Sequence, residues 1–165
     1  MRVPDVIFKE RIGPDWDEWS TEDIFRNQRS VVVSLPGAFT PVCSSQQVPE
    51  YDAAADEFFD LGIDSIYILS VNDWFVMSAW MKELKVNSLE FIADGSGEFT
   101  KQMDMLVWKP LQNFGWRSWR YAMVVNDMKI EKMFVEEGRN CRSQDDDPHV
   151  VSRCQNVLNY LKSQV

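Results

Sequence analysis

Three cysteines punctuate the 165-residue sequence, Cys43, Cys141 and Cys154, and the first stands where a thiol can do chemistry. The run Pro36-Gly37-Ala38-Phe39-Thr40-Pro41-Val42-Cys43 lies between a predicted strand and a predicted helix. Cys43 therefore falls in the first turn of that helix, where unpaired backbone N–H groups and the helix dipole favour a thiolate. Thr40 brings a hydroxyl within reach of the sulfur or of a small ligand beside it. Pro36 and Pro41 stiffen the loop and keep bulk water out. The bland alternative is a buried, inert cysteine, since free cysteine is among the most buried residue types. Other chemistries lack their residues: there is no CxxC pair, and His149 is the only histidine. A structural zinc site, a dithiol–disulfide exchanger and a triad built on a histidine base all fall away.

The elements that must hold this segment follow from patterning. A 45% hydrophobic chain with 26% charged residues can bury a substantial core without metals or disulfides. No repeat or low-complexity linker interrupts residues 1–165, which predicts a single domain. Val31-Val32-Val33-Ser34-Leu35 reads as a buried strand stopped by Pro36-Gly37. From Cys43 to Leu61 the composition is helical, with a kink at Pro49 and a stop at Gly62. Ser65–Val71 and Leu89–Ala93 are further strands, and Asn72-Asp73 caps a helix carrying Phe75, Val76, Ala79 and Trp80 between them. Tyr121–Val125 and Ile130–Val135 form a hairpin. Asp147-Pro148 starts a terminal helix with Val150, Val151, Cys154, Val157, Leu158 and Leu161 on one face. The order predicts an α/β fold with helices flanking a mixed sheet, and a thioredoxin-like or a flavodoxin-like sheet fits it equally.

Seventeen Lys and Arg against 26 Asp and Glu give a net charge of -9, which argues against nucleic-acid and anionic-membrane partners. The N-terminus has no apolar run behind Arg2, and no stretch approaches the ~18 apolar residues of a membrane span. Free thiols fit a cytoplasmic location.

The octapeptide ending at Cys43 fits PxxxTxxC and resembles the active-site signature of the peroxiredoxins, the peroxiredoxin 5 type in particular. Ser70-Val-Asn-Asp-Trp-Phe-Val-Met-Ser-Ala-Trp80, Ala93-Asp-Gly-Ser-Gly-Glu-Phe-Thr100 and Arg117-Ser-Trp-Arg-Tyr-Ala-Met-Val-Val125 are similar to three further segments of that subfamily, in the same order. The resemblance extends to the peroxidase domain of bacterial peroxiredoxin–glutaredoxin hybrids. It implies a thioredoxin-like fold and reduction of hydrogen peroxide and organic hydroperoxides by Cys43, which becomes sulfenic acid. It further implies that Arg120 stabilises the thiolate and donates to the peroxide, that Thr40 hydrogen-bonds the peroxide oxygens, and that Pro36 shields the sulfenate. No metal or organic cofactor is implied. The reducing co-substrate is glutathione or glutaredoxin, with thioredoxin as the alternative, and the assembly is a homodimer.

The sequence also departs from the pattern. Gln47 stands where the subfamily commonly has histidine, and Asp104 where glycine is usual. The usual glycine of the late hairpin is Met128, which shifts the expected positive-φ positions to Asn126 and Asp127. Cys141, in the polar loop Gly138-Arg139-Asn140-Cys141-Arg142-Ser143, is either a resolving thiol or a bystander. Cys154, on an apolar stripe, is expected in the core, and His149 at the surface. Asp145-Asp146-Asp147 reads as a solvated, helix-capping run. Trp108, Trp116 and Trp119 divide between core and dimer contact. A rival of another class is a peroxide-sensing switch, in which oxidised Cys43 alters a partner interaction.

Overall fold

The computed structural model describes residues 1–141 and 147–165. Elements in chain order begin with β1 (Ile7–Ile12), β2 (Asp15–Ser20), α1 (Thr21–Phe25) and β3 (Arg29–Ser34). A π-helical turn, Cys43–Gln47, leads into α2 (Val48–Ala53) and α3 (Ala55–Asp60), followed by β4 (Ser65–Ser70) and α4 (Trp74–Glu83). Then come β5 (Glu90–Ala93), α5 (Glu98–Gln102), β6 (Leu106–Lys109) and β7 (Gly115–Ser118). The chain closes with β8 (Tyr121–Asn126), β9 (Lys129–Val135) and α6 (Cys154–Ser163).

Val31, Val32 and Val33 are fully buried, which a β-branched run achieves only in a strand covered on both faces. That strand, β3, is the middle of a five-stranded sheet ordered β5-β4-β3-β8-β9. β3, β4 and β5 run parallel, whereas β8 and β9 are antiparallel additions. Val31, Val33, Ile66 and Ile68 face a core built with Tyr51, Phe58, Trp80, Val157, Leu158 and Leu161. Val32, Tyr67, Leu69, Met123 and Val125 point the other way, onto Phe8, Phe25, Phe99 and Trp119. This mixed sheet is thioredoxin-like, and its antiparallel pairings, β3 with β8 and β8 with β9, exclude the flavodoxin-like alternative.

The segment from Cys43 passes from π-helix to α-helix at Pro49, which sits in the first turn of α2 and marks the end of the segment's own first turns, and its interruption falls later, at Ala54 between α2 and α3. Its predicted stop holds too, since Gly62 takes φ 88°. Two hairpins escaped the sequence reading. β1 and β2 are almost wholly exposed, with Phe8 the only buried side chain, so they lack an apolar stripe. Cross-strand pairs hold them instead: Lys9 with Glu18, and Arg11 over the Trp16 ring. The second, β6–β7, is only four residues per strand.

Two local expectations are corrected. Positive φ in the β8–β9 turn falls on Asp127 (46°) and Met128 (73°), and Asn126 remains in its strand. Tertiary contacts hold Met128 there: its side chain is buried, and its carbonyl accepts from Val3 N at 3.0 Å. Asp127 N and Oδ1 are both engaged by the segment before β3. The terminal helix starts at Cys154, behind an Arg153 N-cap, and not at Asp147-Pro148. The intervening residues give their polar groups to the candidate site.

Candidate active site

Cys43 opens the π-helical turn, with Val48 N donating to its carbonyl across five residues. The loop before it is fixed from three sides. Thr40 Oγ1 donates to Gly37 O at 2.7 Å and closes a tight turn in which Phe39 adopts φ 64°. Asn72 Oδ1 accepts from Ala38 N (3.0 Å) and Ser70 Oγ (2.6 Å), tying the loop to the end of β4. Asp73 is the residue that caps α4, through Val76 N. From α4 the buried Trp80 indole donates to Ser44 Oγ at 2.9 Å, pinning the residue after Cys43.

Cys43 is fully buried, and Arg120 Nη2 lies 3.4 Å from its sulfur. Arg120 follows β7 and precedes β8, the strand beside β3, and is itself 1% exposed. The sequence reading overlooked a second cation, Arg117. Its guanidinium packs on the Phe114 ring, donates from Nε to Phe114 O and from Nη1 to Pro36 O (3.3 Å). Burial lowers its pKa, and attraction to Cys43 partly restores it. Gly37 makes this approach possible, because a Cβ there would collide with Arg117 Nη1. The signal was present as an arginine three residues before Arg120, in a motif quoted for its other end.

A cavity of about 210 Å³ reaches this cluster, with Pro36, Thr40, Pro41, Arg120, Asp147 and Pro148 among its walls. Val107, Phe114 and Trp119 make one side apolar, and Lys109 adds a cation with its Nζ 5.2 Å from the Trp119 ring centre. The pocket thus offers polar groups near the sulfur and an apolar wall for an alkyl tail. A larger cleft, about 780 Å³ between β1, α4 and β5, contains none of these residues.

The residues between β9 and α6 contradict the sequence reading most. Asp147 Oδ1 pairs with Arg120 Nη2 at 2.7 Å, and the carbonyls of Asp147 and Pro148 accept from Nη1 at 3.2 and 3.1 Å. Asp147 is therefore an arginine partner whose side chain stays 44% exposed, and it caps no helix, since α6 starts at Cys154; Asp145 and Asp146 lie outside the described residues. His149 is not at the surface, its side chain being 5% exposed with Nε2 3.7 Å from Glu50 Oε2. Burial, then the Arg120 charge, lower its pKa from 6.5 against the pull of Glu50. Glu136, itself buried, accepts from the backbone N–H groups of Val150, Val151 and Ser152 and from Ser152 Oγ. Burial alone would raise its pKa; those donors outweigh it and hold the carboxyl below its ordinary 4.5.

All three cysteines are free. Cys154 is buried as expected, and burial followed by the charge of Glu50 pushes its thiol up to about 12. Cys141 is exposed. Gln47 is fully buried, with neither amide atom hydrogen-bonded. Of the three tryptophans, Trp119 belongs to the core, with Nε1 donating to Glu136 O at 2.7 Å. Trp108 and Trp116 are exposed cross-strand partners on β6 and β7. Among the described residues no three of His, Cys, Asp and Glu cluster as metal ligands, and no helix is long and apolar enough to cross a membrane.

The Redoxin family model matches residues 1–149. A peroxiredoxin of Sinorhizobium fredii is 50% identical over 173 residues, covering 98% of this chain and 90% of the relative. The hybrid peroxiredoxin hyPrx5 of Haemophilus influenzae is 45% identical over 163 residues, covering 99% of this chain but 66% of the hybrid. The Plasmodium falciparum antioxidant protein, a 1-Cys peroxiredoxin, superimposes with a TM-score of 0.93 at 32% identity, covering 99% of this chain and 97% of the other.

Proposed function

The chain belongs to the peroxiredoxins, thiol peroxidases of the Redoxin family, and on that premise we propose that Cys43 is its peroxidatic nucleophile and glutathione, with or without glutaredoxin, its reductant. The observation that carries the first part is the 3.4 Å contact between Arg120 Nη2 and Cys43 Sγ beside a cavity that Thr40 and Pro36 help to line. The Cys43 thiolate attacks the terminal oxygen of ROOH, the O–O bond breaks, and the leaving RO⁻ takes up the proton that the thiol released on ionising, giving Cys–SOH and ROH. Arg120 stabilises the negative charge on sulfur and donates to the oxygens as charge moves along the S–O–O line. Thr40 orients the peroxide, and Pro36 covers the sulfenic acid. The apolar wall of Val107, Phe114 and Trp119 suits organic hydroperoxides as well as hydrogen peroxide.

One glutathione then condenses with Cys–SOH to a mixed disulfide and water, and a second releases Cys43 and oxidised glutathione. ROOH and two thiols thus become ROH, water and a disulfide, with no metal or organic cofactor in the balance. Similarity to the hyPrx5 hybrid supports this reading. The free cysteines support a reducing, cytoplasmic setting. Exposed Phe39, Trp108, Leu111 and Trp116 support a homodimer joined beside the cavity. Sedimentation as a monomer at micromolar concentration would refute that assembly.

A second reading has one observation in its favour: Cys141 is exposed, as a thiol that resolves the sulfenic acid for reduction by thioredoxin must become. Peroxide consumption measured with glutathione, glutathione plus glutaredoxin, and thioredoxin separates the two. Turnover with the glutathione systems, kept in Cys141→Ser and abolished in Cys43→Ser, is expected. Turnover with thioredoxin alone, lost in Cys141→Ser, assigns Cys141 as resolving. Oxidation that no reductant reverses catalytically favours the sensing switch.

A further inference from the structure

Arg120 is buried, yet few atoms hold its guanidinium. Among the described residues its terminal nitrogens meet Cys43 Sγ on one side and Asp147 and Pro148 on the other: one carboxylate oxygen at 2.7 Å and two carbonyls at 3.2 and 3.1 Å. Nε has no hydrogen-bond partner among the described residues. Residues 147–152 form a strap, and its far end is clamped by the Glu136 carboxylate, which collects three backbone N–H groups and one hydroxyl from Val150, Val151 and Ser152. Glu136 sits directly on the Arg120 strand pair, its N donating to Arg120 O at 3.2 Å. A single carboxylate thus fixes the strap to the segment that carries the arginine.

We infer that Asp147 is a positioning residue for the peroxidase reaction: through the strap clamped by Glu136, it aims the Arg120 guanidinium at Cys43 and takes up part of its charge. The inference rests on Cys43 as the nucleophile. Asp147 Oδ1 and Cys43 Sγ share the same nitrogen, Nη2, so two anions divide one cation. Further charged groups stand around this cluster: Arg117, which is attracted to the sulfur, Lys109 on the cavity wall, Glu136 in the clamp, and Glu50 and Arg153 beyond His149. The carboxylate has two separable effects. It orients the guanidinium, which accelerates peroxide cleavage, and it competes with the thiolate, which restrains ionisation of Cys43.

Asp147→Asn and Asp147→Ala separate these effects. Two rates are read: reaction of Cys43 with hydrogen peroxide by stopped flow, and its alkylation by neutral iodoacetamide as a function of pH. Asparagine retains an oxygen that accepts from Nη2 but carries no charge. Its alkylation midpoint moves to lower pH, and its peroxide rate stays within about threefold of the parent. Alanine moves the midpoint the same way, but the peroxide rate falls about tenfold, because one arginine anchor is gone. Circular dichroism and unfolding midpoints confirm that both variants fold, and Glu136→Gln, which loosens the clamp, gives a similar loss of peroxide rate. An alkylation midpoint unmoved in both variants overturns the inference. So does a peroxide rate in Asp147→Ala within twofold of the parent. Failure of Cys43→Ser to abolish turnover sinks the nucleophile assignment instead, by a separate result.

Discussion

Replacing Arg120 with methionine tests how much of the peroxidase rests on one cation. The side chain keeps its reach and loses its charge. With Nη2 at 3.4 Å from Cys43 Sγ, the Coulomb interaction with a thiolate is roughly 5 kcal/mol at an effective dielectric of about 20. Asp147, at 2.7 Å from the same nitrogen, cancels part of it. The remainder is comparable to the roughly 3–4 kcal/mol lost when one preorganised donor is removed from an active site. At 1.36 kcal/mol per decade that is a fall of roughly a hundredfold to a thousandfold in the second-order rate with hydrogen peroxide. Arg120→Lys keeps the charge but offers one point where the planar fork bridged sulfur and strap, and loses roughly tenfold to a hundredfold.

Stopped-flow tryptophan fluorescence measures the peroxide step, and iodoacetamide alkylation at fixed pH reports the thiolate fraction separately. Folding survives in Arg120→Met, because Asp147 is 44% exposed on its side chain and its carboxylate stays hydrated when the guanidinium is replaced. A peroxide rate within tenfold of the parent in Arg120→Met would show that the 3.4 Å contact is incidental. An unchanged alkylation rate beside a collapsed peroxide rate would assign Arg120 to the peroxide oxygens alone.

Two further outcomes follow from the buried groups. Cys154, with its thiol pushed up to about 12, resists thiol reagents in the folded protein and reacts once denaturant is added. Cys154→Ser keeps peroxide turnover within about twofold, and a loss beyond tenfold would put Cys154 into the reaction. His149 is held neutral by burial and by Arg120, so its folded pKa lies below the unfolded value of 6.5. The unfolded chain then binds the extra proton. The stability His149 contributes is full above pH 6.5 and lost as the pH falls through its folded value. Urea unfolding between pH 5 and 8 shows this slope, and His149→Gln removes it; equal slopes in both proteins refute the argument. The lowered carboxyls of Glu131 and Glu136 act in a separate window, below 4.5.

Much of this arrangement was legible in the residues because local chemistry and tertiary structure agree there. The β-branched run Val31–Val33, the loop prolines and the cysteine in a first helical turn each have a local cause, and β3, the loop and the π-helical turn stand where those causes place them. Exposed hairpins defeat that kind of reading. β1 and β2 bury one side chain between them, so period-two alternation has nothing to mark. Met128 at φ 73° fails for a related reason: its conformation is imposed by a hydrogen bond from Val3, 125 positions away in sequence, and by burial. The strap is the instructive case. Asp147-Pro148 carries a sound helix-start pattern, and a helix there would spend the backbone N–H groups of Val151 and Ser152 on the carbonyls of Asp147 and Pro148. Glu136 takes those N–H groups first, and a buried arginine takes the carbonyls of Asp147 and Pro148. A buried carboxylate and a buried guanidinium each need several partners to be tolerated inside a protein. Between them they consume the polar groups of five residues, and the helix begins only where those demands end, at Cys154.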